Sequence, residues 1–155
     1  MRYTDYYLSP AGVLEITASE SHILSVRFVN QVNQACIKSN RLTQVAIDYL
    51  SSYFEHKPVC PDIDLFLLEG TEFQKKVWLR LLNIPYGKTI SYKELALQTG
   101  APKAVRAVGT AVGKNPFCIL LPCHRVLPAT GKTGQYAYGS HIKSFLLDFE
   151  SKSNL

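Results

Sequence analysis

A cysteine, a histidine and an arginine stand together in Leu121-Pro122-Cys123-His124-Arg125-Val126, directly after the apolar run Phe117-Cys118-Ile119-Leu120-Leu121. These residue types suit nucleophilic chemistry. A cysteine attacks as the thiolate, and near neutral pH it needs a base or a positive charge beside it. His124 and Arg125 are candidates for both roles. The apolar run reads as a buried strand. Pro122 has no N–H with which to continue a ladder, so the strand should stop there and present Cys123 at an edge. Other uses of cysteine fit less well. Cys118 suits core filling. A metal site needs about four ligands at workable spacing. Cys36, Cys60, His22, His56 and His141 are scattered, with no Cys-x-x-Cys, so no metal is expected. Four cysteines without framework spacing, behind an N-terminus (Met1–Asp5) that lacks an apolar signal core, predict no disulfide and a reduced, cytoplasmic setting.

The elements that must position this motif can be read from periodicity. At 155 residues, 46% hydrophobic and 19% charged, the chain has globular composition and room for one domain or two small ones. No run is long enough to span a bilayer, so no membrane partner is expected. Residues 3–30 read as β-rich: short apolar runs are separated by Ser9-Pro10-Ala11-Gly12 and Ser19-Glu20-Ser21-His22. Residues 41–55 read as a helix, with Leu42, Val45, Ala46, Tyr49, Leu50 and Tyr53 at helical spacing. Lys57-Pro58 opens a linker-like stretch to about Glu69. Thr71 and Gln74 then form a capping box before the helix face Phe73, Val77, Trp78 and Leu81. Ser91 and Glu94 form another before a short helix.

Thr99-Gly100-Ala101-Pro102 is a tight turn into a further helix, which should run to about Lys114 with Ala104, Val108, Ala111 and Val112 buried. A final helix from about Ser140 to Glu150 should bury Ile142, Phe145, Leu146 and Phe149. The fold class is therefore α+β. A small β-rich N-terminal domain with a helix (1–68) precedes a mainly helical domain (69–155) that contains a helix-turn-helix.

Charge divides along the same line. Residues 1–68 carry five Lys/Arg against seven Asp/Glu, a net −2; residues 69–155 carry twelve against five, a net +7. A basic domain attracts polyanions, and nucleic acid is the commonest. In the helix-turn-helix, Lys103, Arg106 and Thr110 fall opposite the core. Ala104, Ala107, Gly109, Ala111 and Gly113 would let the helix approach a surface closely, with Arg106 able to reach into a duplex.

Together these residues resemble the O6-alkylguanine-DNA alkyltransferases (methylated-DNA–protein-cysteine methyltransferases). The resemblance runs from about Gly70 to Glu150. It is carried by Thr71-Glu72-Phe73-Gln74, Val77-Trp78, Ile84-Pro85-Tyr86-Gly87, Ser91-Tyr92, Ala107-Val108-Gly109, Asn115-Pro116, the run from Ile119 to Val126, and Lys143, Leu146-Leu147 and Glu150. It implies a cytoplasmic, cofactor-free monomer. This protein would flip O6-methylguanine, with O4-methylthymine as a second lesion, out of double-stranded DNA and transfer the alkyl group once to its own cysteine. It implies that Cys123 accepts the alkyl group, that His124 takes the thiol proton through a water, and that Glu150 orients His124. Asn115 would brace the turn and Tyr92 would donate to the flipped base. Arg106 would fill the vacated stack, and Lys103, Ala104, Ala107 and Thr110 would lie along the minor groove. Tyr136 would line the base pocket, and Arg125 is placed with the DNA-binding set.

Three rivals remain on the residues alone. One is a non-catalytic alkylated-DNA-binding protein, which would replace the cysteine. The others are a cysteine hydrolase using Cys123, His124 and Glu150, and a helix-turn-helix regulator with an inert cysteine.

Overall fold

The tyrosine- and β-branched-rich start of the chain forms three antiparallel strands: β1 (Tyr3–Ser9), β2 (Gly12–Ala18) and β3 (Ile23–Val29), paired in that order. In the β1–β2 turn, the Ser9 hydroxyl accepts from the N–H groups of Ala11 and Gly12. Alternation places Leu14, Ile16 and Ala18 of β2, with Val26 and Phe28 of β3, on the buried face. Helix α1 (Arg41–Phe54) covers the strands with Leu42, Ala46, Leu50 and Tyr53. Asn40 and Thr43 close its N-terminus reciprocally, each side chain accepting from the other's backbone N–H at 2.9 Å. The computed structural model describes residues 1–152. It is α+β and divides into two compact units: 1–68 with 116–120, and 69–115 with the chain from 121 onward.

Two expectations change in the first unit. The linker-like stretch after Pro58 is tied down at its end. Phe66 bridges Ile23, Leu67 N–H donates to Ile23 O at 3.0 Å, and the Phe66 ring meets Phe117 edge-on at 4.9 Å. The run 117–121 is not a strand. It makes one bridge, Phe117 to Val26, and then turns through Ile119, whose φ is +70°. Pro116 O and Cys118 N–H both bond Val26, which places 116–120 with the first unit rather than inside an uninterrupted 69–155. The apolar residues are buried as their composition demands, but only one residue finds a ladder partner.

In the second unit, α2 (Glu72–Leu81) starts at the Thr71–Gln74 capping box and buries Val77, Trp78 and Leu81. The Trp78 indole N–H donates to Ala111 O at 2.8 Å. Helix α3 (Tyr92–Gln98) is capped by Ser91, whose hydroxyl accepts from Glu94 N–H, while the Glu94 carboxylate accepts from Gln98. The second capping box is therefore half formed. Gly100, at φ +82°, ends α3 in the left-handed conformation that glycine adopts without strain. Helix α4 (Val105–Gly113) begins three residues after Pro102, with Ala104 as its cap and Lys103 in the turn before it. A two-residue parallel pair, β4 (Ile90–Ser91) with β5 (Val126–Leu127), was not legible in a domain read as helical. It joins the start of α3 to the Cys-His motif.

Helix α5 (Ser140–Lys152) has the expected position but a different inner face. Lys143, Leu146 and Glu150 are buried; Phe145 is 37% exposed and stacks on Phe149 at 6.2 Å. No helix among the described residues is long and apolar enough to cross a membrane.

Candidate active site

Pro122 delivers Cys123 into a single 3₁₀ turn, Cys123–Arg125, in place of a strand edge. Cys123 N–H donates to Leu121 O at 2.7 Å, and the Asn115 side-chain amide donates to the same carbonyl at 2.6 Å. Asn115 is itself buried at the end of α4. The turn is thus pinned from outside, because a 3₁₀ turn of three residues holds little of its own hydrogen bonding. Cys123 sits in a pocket of about 260 Å³ lined by Tyr92, Gly109, Asn115, Gln135, Tyr136 and Tyr138. Its sulfur lies 3.8 Å from Tyr136 Oη. The β4–β5 register (Ser91 opposite Leu127) places Tyr92 there, and the absence of side chains at Gly109 and Gly113 leaves room.

Behind the thiol lies a buried charge network. His124 Nε2 bonds Glu150 Oε2, with both side chains essentially inaccessible to solvent. Arg125 grips the same carboxylate through Nε (2.9 Å) and Nη2 (3.2 Å) and donates from Nη1 to Ile84 O at 2.8 Å. Gly87 N–H adds a bond to Glu150 Oε1 at 2.9 Å. The Tyr86 ring lies 5.5 Å below the guanidinium. A buried carboxylate persists only when its charge is answered. Burial alone would raise the Glu150 carboxyl, but hydrogen bonding and charge from His124 and then Arg125 hold it at about 2. Burial pushes His124 down, against the pull of Glu150. Burial pushes the Cys123 thiol up, opposed by hydrogen bonds from Asn115 and Tyr136 and by the charge of Lys143. Desolvation outweighs these opposing contributions. Burial, followed by the charge of Cys123, raises the Tyr92 phenol, which keeps its proton.

The sequence-derived residues fall into two groups. Cys123, Asn115, Tyr92 and Tyr136 line the pocket, and His124 and Glu150 pair with one another in the buried network. Lys103, Ala104, Arg106, Ala107 and Thr110 line a shallow groove of about 620 Å³ with Thr71, Phe73 and Gln74. Arg125 belongs to neither as expected. It is buried, 7% exposed, and its guanidinium is committed to Glu150 and Ile84, so it cannot also face a duplex or support the thiolate as a free cation. Residue patterning gave no pocket role to Gly109 or Gln135 and no site role to Lys143. The last was legible in principle, since Lys143, Leu146 and Glu150 repeat at i, i+3 and i+7, one face of a helix.

Two family models match the chain. The ribonuclease-like domain of 6-O-methylguanine DNA methyltransferase matches residues 1–67 and its DNA-binding domain matches residues 72–152. A methylated-DNA–protein-cysteine methyltransferase of Methanosarcina barkeri is 38% identical over 97% of this chain and 98% of that protein. One of Mycobacterium bovis is 41% identical over 92% and 88%. The crystal structure of Mycobacterium tuberculosis OGT in complex with DNA superposes with a TM-score of 0.86 at 39% identity, covering 97% of this chain and 94% of that one. With both models matched in sequence order and relatives alike from end to end, this chain belongs to the 6-O-methylguanine DNA methyltransferase family.

Proposed function

We propose that this protein repairs duplex DNA by drawing an O6-alkylguanine out of the stack and transferring its alkyl group, once per molecule, to Cys123. The observation that carries the reading is a buried thiol at the floor of a pocket, backed by the His124–Glu150–Arg125 network and built on the same helix, α4, that lines the outer groove.

Each residue then has a role. Glu150 accepts from His124 Nε2–H, which makes Nδ1 the basic nitrogen. Through one water, Nδ1 takes the Cys123 proton, and the resulting imidazolium is stabilised by Glu150. The thiolate attacks the alkyl carbon; the S–C bond forms as C–O6 breaks, and the electron pair moves into the purine. Tyr92, protonated at rest, donates to the purine ring and recovers a proton from solvent. The thioether is stable, so no second turnover follows. Asn115 holds the Cys123 turn, Tyr136 lines the base pocket, and Arg106 occupies the gap in the stack. Lys103, Ala104, Ala107 and Thr110 bring α4 against the minor groove. Arg125 acts through Glu150.

The reading includes O4-methylthymine as a second substrate and action as a monomer without cofactor. It places the protein in a reducing cytoplasm. It also divides the work between a supporting region (1–68) and an alkyl-accepting region (69–155).

The test is incubation with a duplex containing O6-methylguanine, followed by mass analysis. The expected result is a gain of one methylene, mapped to Cys123 and absent in Cys123→Ala, with DNA binding retained. Stable methylation of Cys36, Cys60 or Cys118 in that variant would refute the assignment.

A further inference from the structure

Lys143 is a buried ionisable group that the steps above do not use. It is fully inaccessible to solvent. Its ammonium donates to Gln135 O at 3.1 Å and stands 5.8 Å from the centroid of the Tyr92 ring. Gln135 and Tyr92 both line the Cys123 pocket, so the cation lies against its wall. A buried ammonium needs an answering charge, and one carbonyl and one aromatic face answer it only in part. Among the described residues no carboxylate pairs with it. Glu150, seven residues along the same helix, is held by Arg125, His124 and Gly87.

The groups facing this region from its surrounding elements are few. Tyr92 of α3, Cys123 of the 3₁₀ turn and Tyr136 and Tyr138 of the 133–139 loop line the pocket, while His124, Arg125 and Glu150 are held in the buried network. Arg125 and Glu150 cancel one another. Lys143 is therefore the permanent charge left over, and the one anion that the reaction creates in the pocket is the thiolate.

We propose that Lys143 is a positioning residue of the reaction, the fixed cation that stabilises the Cys123 thiolate from the pocket wall at Gln135 and Tyr92. The inference rests on the reading of Cys123 as alkyl acceptor. Proton transfer from Cys123 to His124 places the imidazolium on the Glu150 carboxylate that Arg125 shares and sets the new thiolate against the charge of Lys143. Transfer then consumes the thiolate, the S–C bond forms, C–O6 breaks, and the purine takes its proton from Tyr92. The coupling is mutual. The charge of Lys143 pulls the thiol down, and the thiolate supports the ammonium against burial.

The experiment is the rate of Cys123 alkylation by iodoacetamide as a function of pH, read on the Cys123 peptide by mass, for wild type and Lys143→Met. The expected result is a midpoint at least one pH unit higher in the variant, equivalent to about tenfold slower alkylation at pH 7. Superimposable midpoints, whatever the plateau, would overturn the proposal. If Lys143→Met does not fold, the same coupling is read from the other side. The Lys143 side-chain titration, followed by NMR, should fall in Cys123→Ala relative to wild type, and an unchanged titration overturns the inference. Methyl uptake from lesion duplex is measured separately on wild type. Its failure would remove the proposed function without altering the thiol titration.

Discussion

Glu150 is the residue on which most of the site's charge balance turns. Its carboxylate answers an imidazole, a guanidinium and a main-chain N–H, all buried. In Glu150→Gln the imidazolium loses its counter-charge and Arg125 its partner. Alkyl transfer should slow and its pH profile should shift, as measured by methyl uptake between pH 5 and 9; superimposable profiles would reduce the network to Cys123 and His124. The same residue governs acid stability. Its folded value of about 2 lies below the ordinary 4.5, so its contribution is complete above pH 4.5 and is lost as pH falls towards 2. At full strength this is on the order of 3 kcal/mol. His124 acts in the same direction at higher pH. Because burial lowers it, the unfolded chain takes up that proton first, and stability begins to fall below about pH 6.5. Thermal melts from pH 8 to pH 3 should decline in these two steps, and Glu150→Gln should remove the lower one.

At the scale of elements, α5 shows how a helix can be placed correctly and rotated wrongly. The aromatic residues Phe145 and Phe149 suggested the inner stripe, yet Lys143, Leu146 and Glu150 occupy it. Two charged residues face inward because the core they meet is the pocket and its network. Leu146→Ala should therefore cost about 2–5 kcal/mol, the usual range for emptying a buried leucine site, whereas Phe145→Ser should stay within about 1 kcal/mol. Denaturant melts decide between them, and equal losses would argue for the original stripe. Helix α4 divides its surface differently. Val108 and Ala111 are buried, Gly109 and Gly113 face the pocket, and Arg106, Ala107 and Thr110 face the groove. On the proposed function, in which Arg106 fills the gap left by a flipped base, Arg106→Ala should slow repair of a lesion in duplex far more than reaction with free O6-benzylguanine, because flipping costs a few kcal/mol in the duplex alone. Equal losses on both substrates would make Arg106 structural.

For the whole molecule, the relevant quantity is the distribution of charge. The net +7 of residues 69–155 against −2 for 1–68 confines the attraction for a polyanion to the half that carries Cys123. Binding that neutralises phosphates releases counterions and reads little sequence. If six phosphates are contacted, affinity should fall roughly a thousandfold between about 50 and 200 mM salt, with little preference among unrelated duplexes. Titrations at several salt concentrations measure this. A flat response, or one preferred sequence far above the rest, would favour a sequence-reading regulator.

Local rules were enough to place much of this molecule. The Thr71–Gln74 box, the α1 stripe, the Gly100 helix end and the three alternating strands depend on neighbours within a few residues, and the sequence carries those neighbours directly. The Pro122-Cys123-His124 motif likewise pointed to nucleophilic chemistry, because a thiol beside an imidazole suits it, while alkyl transfer in particular came with the family resemblance. What lay beyond reach depends on partners far along the chain. Arg125 looked like a surface cation until Ile84, 41 residues away, and Glu150, 25 residues away, enclosed it. The run 117–121 looked like a strand because burial and β-propensity are local, whereas a ladder needs a partner strand, and Phe117 alone has one. The two-residue pair that puts Tyr92 beside Cys123 is too short to leave a periodic signal. Whether a charge is solvated or buried is a property of its three-dimensional surroundings, and so the burial of Arg125 and Lys143 was decided by the tertiary structure alone.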